Sequence, residues 1–476
     1  MSELFWQGIM IFNVLILVYF VILNGSYLGL GVVAFASLRK HVARMKSIEL
    51  RELISGAGTP PVTLLAPAFN EAPTVVESVR SLLTLEYEDF EIVVVNDGST
   101  DSTLETLTEA FNLKATPRLP TAEIPTAQVR QVYRSLRHPN LWVVDKENGG
   151  KADALNAGLN YCRTPLFCAM DADSLLERDA LIRVVRPFLE DERTVAAGGI
   201  LRVVNGCTVR HGQVLQVGLP RKILARFQAL EYLRAFLAGR MGWDAVGASL
   251  VISGAFGVFK RSTVVEVGGY ATDTVGEDME LVVRLHHHLR KKGEPYRIGF
   301  VPDPVAWTEV PEGLKALGRQ RDRWQRGLLQ SLLRHRTMLF NPRYGRVGMV
   351  AYPYYFFLEM LGPILEVMGY LAFIFTVVSG RASPEYVSAF LAVAVAFGIV
   401  LSLVSVVMEE FTFRRYPRWR DLLSLFGLAV IENVGYRQLT AYWRVRGTIS
   451  ALLRRGEWGA MERKGFEVQE SARPLR

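Results

Sequence analysis

From Leu4 to Leu38 the chain carries no charged side chain. A membrane-spanning helix needs about 20 predominantly apolar residues. This run is long enough to cross a bilayer, which excludes a purely soluble fold. Only Glu3 precedes it, whereas Arg39, Lys40, Arg44, Lys46 and Arg51 follow. Basic flanks stay on the cytoplasmic side, so the helix is expected to run from outside to inside. A cleaved signal peptide would need a basic start and a shorter apolar core.

A second apolar region runs from Val347 to Met408, broken at Arg381, Pro384 and Glu385. It reads as one helix around Pro363–Val378 crossing outward and another around Tyr386–Met408 returning. The stretch Val347–Gly362, which holds Pro353 and Glu359, is expected at the interface. The cluster Arg414, Arg415, Arg418 and Arg420 then falls inside. Leu422–Val434 is short, so a re-entrant or interfacial helix is expected there, with a fourth span as the alternative. Glu359, Glu366 and Glu432 are costly in a membrane unless they meet polar surroundings.

The division expected along the 476 residues is therefore an N-terminal span and basic flank (1–50), a cytosolic domain (51–318), an amphipathic interfacial segment (319–346), spanning and interfacial helices (347–446) and a cytosolic tail (447–476). The net charge of +8 could serve nucleic acid, an anionic membrane or a phosphorylated substrate. The basic residues gather at the membrane boundary and no groove-binding motif appears, so nucleic acid is not expected and anionic lipid is. Three Cys cannot staple a chain of this size. Cys162, Cys168 and Cys207 lack metal spacing and read as reduced packing thiols.

In the cytosolic part, Val62–Ala66 is a short apolar run, hence a buried strand. Phe69-Asn-Glu71 follows in a loop, and Thr74–Leu85 has a helical period. Glu91–Val95 is a second strand ending at Asn96-Asp97, Leu141–Val144 a third, and Leu166–Met170 a fourth ending at Asp171-Ala-Asp173. Strands alternating with helices imply a parallel sheet with right-handed crossovers. Ligands of such sheets bind at the carboxyl ends of the strands, where Phe69, Glu71 and Asp97 all fall. No GxGxxG follows the first strand, and Gly149-Gly-Lys151 lacks Walker spacing, so neither known phosphate loop is present.

Asp145–Asn156 reads as a Gly-broken loop entering a helix at Ala152, so Lys151 lies near a helix N-terminus, where an anion is favoured. Asp171 and Asp173 would repel one another without a cation between them. Hard divalent cations share oxygen ligands with phosphates, which points to a metal-bridged nucleoside diphosphate, with a solvated acidic loop as the bland alternative. Val251–Phe259 reads as a strand interrupted by Gly254 and Gly257, a sign of close backbone approach to a ligand. Glu277 and Asp278 open the helix Met279–Leu289, as caps or with a carboxylate fit to serve as general base. Gln320, Arg323 and Trp324 share one helical face, and nine Lys or Arg lie between Lys315 and Arg346 against the single acid Asp322. His286, His287 and His288 point three ways on a helix and do not suggest a metal site.

The set PAFNE (67–71), NDGSTD (96–101), GGKADALN (149–156), DAD (171–173), SGAFGVF (253–259), GED (276–278) and QRDRW (320–324) resembles the membrane-embedded, inverting family 2 glycosyltransferases. That group includes the synthases of cellulose, chitin, hyaluronan and poly-β-1,6-N-acetylglucosamine, and the tail motifs 435–447 and 458–466 are most similar to the last. The resemblance implies an α/β GT-A domain, Rossmann-like and nucleotide-sugar-binding, set between N- and C-terminal transmembrane and interfacial helices. It implies that Phe69, Glu71 and Asp97 contact uridine, that Lys151 meets the nucleotide, and that Asp171 and Asp173 hold the diphosphate with Mg²⁺ or Mn²⁺. Asp278 would be the catalytic base. Gln320 and Arg323 would secure the diphosphate, while Trp324 with Ser253, Gly254 and Glu277 would face the acceptor. The sequence departs from the family in having Gly276 where many relatives have Thr, and Asn96 where many have Asp.

The implied activity is transfer from a UDP-sugar to a growing β-linked polysaccharide at the cytosolic face of a bacterial-type inner membrane. Addition of one sugar to a membrane lipid is the alternative, and a transporter or inactive scaffold is a third. Few spans are available for a closed channel, so a homo-oligomer or an accessory export subunit would complete one. No regulatory module is visible after Arg446.

Overall fold

The computed structural model describes residues 3–45, 58–210, 212–413, 416 and 418–453; the tail motif at 458–466 lies outside them. The chain divides into two compact units, one of residues 1–43, 222–248 and 311–459, the other of 44–221, 249–310 and 460–476. The segment 222–248 lies inside the stretch read from sequence as cytosolic, and it groups with the apolar helices.

The second unit is built on a ten-stranded mixed sheet, so the expected α/β class is present. Its strands are β1 (Val62–Ala68), β2 (Phe90–Asp97), β3 (Leu113–Ala115), β4 (Val129–Ser135), β5 (Leu141–Lys146), β6 (Leu166–Met170), β7 (Leu175–Leu176) and β8 (Thr194–Val203). A separate hairpin pairs β9 (Thr208–Arg210) with β10 (Gln213–Gln216), and β11 (Phe256–Lys260) and β12 (Arg297–Thr308) complete the sheet. The order is β3-β4-β5-β2-β1-β6-β11-β8-β12-β7. β5, β2, β1 and β6 are mutually parallel. Buried on both faces, they need the continuous apolar runs that made them legible.

Parallel pairing puts four carboxyl ends on one edge. Asp97 registers with Lys146, Ala68 with Asn96 and Leu65 with Ala169. β11 runs antiparallel to β6, with Phe256 opposite Met170. The start of β11 therefore meets the end of β6. The strand begins later than the expected Val251–Phe259, because residues 251–255 stay outside the ladder. Helices Lys151–Tyr161 and Glu277–Lys292 cover one face with Leu155, Leu159, Leu281 and Leu285 over Leu65, Val95 and Phe167.

In the first unit, two helices among the described residues are long and apolar enough to cross a membrane, Glu3–Arg44 and Pro384–Thr412. A third span forms if Val347–Met360 and Gly362–Val378, bent by 41°, count as one. The helix Trp419–Ile431 has 13 residues. At 1.5 Å per residue it reaches about 20 Å, short of a hydrocarbon core of about 30 Å. Polar groups within these helices find partners, as spans require. Asn13 donates to Thr376 at 2.9 Å and Asn24 to the Val393 carbonyl at 2.9 Å. Glu359 accepts from Tyr27 and pairs with Arg444, and the wholly buried Glu432 pairs with Arg234 and Ser402.

Candidate active site

The carboxyl edge of the sheet gathers most of the motif residues. Two loops are tied together at its centre. Asn70, with φ of +55°, accepts the Thr100 amide at 2.8 Å, while its own amide donates to Ser99 at 3.0 Å. The Glu71 amide donates to Thr103 Oγ1 at 2.9 Å, and its carboxylate accepts from Thr74 at 2.6 Å. Phe69 is half exposed beside them, whereas Glu71 is buried.

Asp97 is buried and works as an anchor. Its carboxylate accepts from Lys146 Nζ at 2.6 Å, the Gly149 amide at 3.0 Å and the Gly150 amide at 2.8 Å. Lys146, itself wholly buried, also pairs with Asp153 at 2.6 Å. Gly98 has φ of +65° and lies against the Asn148 backbone, so the two loops close only without a side chain there. This Asp97–Lys146–Asp153 group was missed in the sequence, where Lys146 simply ends an apolar run. Asn96 donates to Asp145 Oδ1 at 2.7 Å. An Asp at 96 would set two buried carboxylates together, which accounts for the departure from the family pattern.

The anchored loop delivers Lys151 to the second cluster. Its ammonium lies 2.6 Å from Asp171 Oδ1 and 3.3 Å from Glu277 Oε1, and donates to the Gly254 carbonyl at 3.3 Å. Burial opposes that charge, but Asp171, Glu277 and Asp278 outweigh it and hold the Lys151 pKa above its ordinary value. Burial raises the Glu277 pKa, Lys151 opposes the rise, and Asp278 adds to it. Asp278 does not cap its helix, since Gly276 is the cap residue. Its Oδ2 accepts the Gly254 amide at 2.9 Å and its Oδ1 the Met279 amide at 2.8 Å. Ser253 adjoins this point, with Oγ 3.4 Å from the Ala255 amide. Asp173 follows in the turn after β6 and is buried.

Gly254 is thus a crossing point. A Cβ there would stand 2.9 Å from Lys151 Nζ and 3.1 Å from Asp278 Oδ2. Gly254→Ala is expected to leave the fold intact and to lower turnover by about 10²-fold, the usual effect of a displacement near 1 Å in a reacting site. Initial rates on protein of unchanged thermal midpoint check this. Asn156, also missed, is a buried support. It bonds both backbone groups of Tyr270, at 2.9 and 2.7 Å, ahead of the acidic turn.

Among the described residues no group of three His, Cys, Asp or Glu forms a metal cage. Asp171 and Asp173 nevertheless offer only carboxylate oxygens, and Asp171 is partly open to solvent. One or two carboxylates completed by phosphate oxygens is how Mg²⁺-type ions are usually held, so the donor set fits such an ion. The histidines go separate ways. Buried His286 meets Tyr296 at 2.6 Å and the Ser249 carbonyl at 2.8 Å, with burial pushing its pKa down to about 4; His288 pairs with Glu266.

Gln320, Arg323 and Trp324 lie in the other unit, on the helix Leu314–Arg334. Gln320 is buried, Arg323 half-buried and Trp324 45% exposed. The Arg321 guanidinium stacks 4.4 Å from the Trp324 ring and pairs with Glu231 at 2.7 Å. Asp322, the lone acid of the segment, is taken by Arg326 at 2.9 Å and Arg446 at 3.3 Å.

Comparison with known proteins agrees with the motif set. The chain is 31% identical over 274 residues to the poly-β-1,6-N-acetyl-D-glucosamine synthase of Staphylococcus aureus strain COL, and 30% identical to that of Staphylococcus epidermidis. Each match covers 57% of this chain and 56% of the relative, so the chain spans about half the length of the curated relatives it matches. Among solved structures, a mannosyltransferase of Pyrobaculum calidifontis in complex with GDP-Man and Mn²⁺ aligns with a TM-score of 0.49 and 19% identity, over 87% of this chain and 99% of that one. The family model for glycosyltransferase like family 2 matches residues 60–327. That span takes in the whole carboxyl edge and most of the QRDRW helix, and covers more than half of the 476 residues, so the chain belongs to this glycosyltransferase family.

Proposed function

We propose that the protein is an inverting synthase that transfers N-acetylglucosamine from its UDP donor to the hydroxyl of a growing β-linked polysaccharide at the cytosolic face of the membrane. The observation that carries this proposal is the meeting of Asp278 and Lys151 at Gly254, with Asp171 paired to the same lysine. Similarity to the poly-N-acetylglucosamine synthases supports the choice of sugar, and two candidate spans support the location.

In this mechanism Phe69 offers a flat apolar surface for the uracil, beside the loop that Asp97 anchors. Lys151 leaves Asp171 to meet the diphosphate, where an ammonium gives a strong charge-assisted contact. The acceptor oxygen attacks C1, the C1–O bond to the diphosphate breaks, and UDP leaves with the electron pair. Asp278 takes the acceptor proton, its carboxylate held by the Gly254 and Met279 amides. One displacement inverts the anomeric carbon, so an α-linked donor gives a β-product. Asp171 and Asp173 would hold Mg²⁺ or Mn²⁺, which when bound supplies electrostatic stabilisation to the leaving diphosphate. From the motif alone, Gln320 and Arg323 are assigned to the diphosphate and Trp324 to the acceptor.

The test is UDP release by detergent-purified protein against a panel of UDP-sugars, followed by product sizing. Release with UDP-N-acetylglucosamine and a long, glycosidase-sensitive product is the expected result. EDTA is expected to abolish release and Mn²⁺ to restore it. A short, lipid-extractable product would replace the synthase with a lipid glycosyltransferase.

A further inference from the structure

Lys151 is bound in a way that a nucleotide ligand alone does not require. The ammonium sits among three oxygens: it pairs with Asp171 Oδ1 at 2.6 Å and Glu277 Oε1 at 3.3 Å and donates to the Gly254 carbonyl at 3.3 Å. These oxygens come from the turn after β6, the helix Glu277–Lys292 and the turn before β11. The missing side chain at Gly254 leaves the room in which the ammonium sits. The side chain is 21% exposed, so its flexible stem has a way out. The oxygen it holds most closely belongs to the carboxylate that opens the Asp171-Ala-Asp173 turn.

We propose that in the nucleotide-free enzyme the Lys151 ammonium stands in for the divalent cation on Asp171, so that cation and nucleotide enter together. This rests on the proposed donor and metal chemistry. Two cations cannot share one carboxylate edge without strong repulsion. A free divalent ion must therefore displace Lys151 from Asp171, the carboxylate it holds most closely, and bring a second cation up against it. A nucleoside diphosphate removes that barrier, because its own oxygens receive Lys151 as the cation arrives. Asp171 keeps a positive partner throughout, and Asp171, Glu277 and Asp278 are never left facing one another uncompensated. The consequence is coupled binding: free metal is held weakly and the metal–diphosphate complex tightly.

The experiment is Mn²⁺ titration of the purified full chain without any donor sugar, followed by the electron paramagnetic resonance signal of free Mn²⁺, with and without UDP. Wild type is expected to bind Mn²⁺ weakly alone and about tenfold or more tightly with UDP. Lys151→Met is expected to bind Mn²⁺ alone about tenfold more tightly than wild type, while Lys151→Arg, which keeps the charge, stays weak. Adding Asp171→Asn to Lys151→Met is expected to remove the gain. Thermal unfolding of each variant shows that it is folded. Lys151→Met binding Mn²⁺ no better than wild type, while UDP still tightens wild-type binding, would overturn this inference and leave the proposed function standing. Absence of Mn²⁺ binding in every sample, UDP included, would overturn both.

Discussion

Asp278→Asn is expected to remove sugar transfer while leaving the donor bound. General-base catalysis contributes about 10²–10⁴-fold, and kcat should fall by that factor with the Kd for UDP unchanged. Asp278 suits the role better than its neighbour. Glu277 is buried against Lys151, so its carboxylate already has a cation to balance. Asp278 is oriented by backbone amides alone, at 2.9 and 2.8 Å. Asn can accept from one of those amides and must turn its own N–H₂ toward the other. That misfit costs about 1–3 kcal/mol, which would show in the thermal midpoint, whereas loss of the base shows in kcat at unchanged UDP binding. Initial rates with UDP-N-acetylglucosamine, beside calorimetric titration of UDP, separate the two effects. Turnover near the wild-type value would place the base elsewhere.

The strands β1, β2, β5 and β6 were legible because strands buried on both faces must be apolar throughout. The right-handed crossover then puts Phe69, Asp97 and Asp171 on one edge without further information. What lay hidden depended on pairings far apart in the chain. β11 joins the sheet antiparallel to β6, so Gly254 arrives beside Asp171 from the opposite chain direction, and nothing in its local pattern announces that. The burial of Lys146 was equally silent, since its partners Asp97 and Asp153 stand 49 residues before it and seven after. In the first unit, Glu432 meets Arg234 across 198 residues. Read alone, such a glutamate suggests a polar channel; with its partner, it is a buried ion pair. The segment 222–248 carries no composition shift to mark its place with the apolar helices.

The same hidden lysine yields the second large effect. Lys146→Met keeps much of the volume and removes the cation between Asp97 and Asp153, whose carboxylates each lie 2.6 Å from its nitrogen. Losing one partner of a buried pair costs about 3–5 kcal/mol, because the remaining charges stay desolvated. Against a typical total of about 5–15 kcal/mol, the thermal midpoint should drop sharply. The functional consequence follows from Asp97, which also holds the Gly149 and Gly150 amides just before Lys151. With Asp97 displaced, that loop loses its anchor, and the KM for donor should rise more than kcat falls. Adding Asp153→Asn removes one of the stranded charges and is expected to recover part of the midpoint, a non-additivity that a double-mutant cycle measures directly. Asp153→Asn alone keeps the Lys146–Asp97 pair and should leave the KM close to wild type. If Lys146→Met melted at the wild-type midpoint, the buried carboxylates would have to be relieved by water or protons, and Lys146 would not be what fixes the loop.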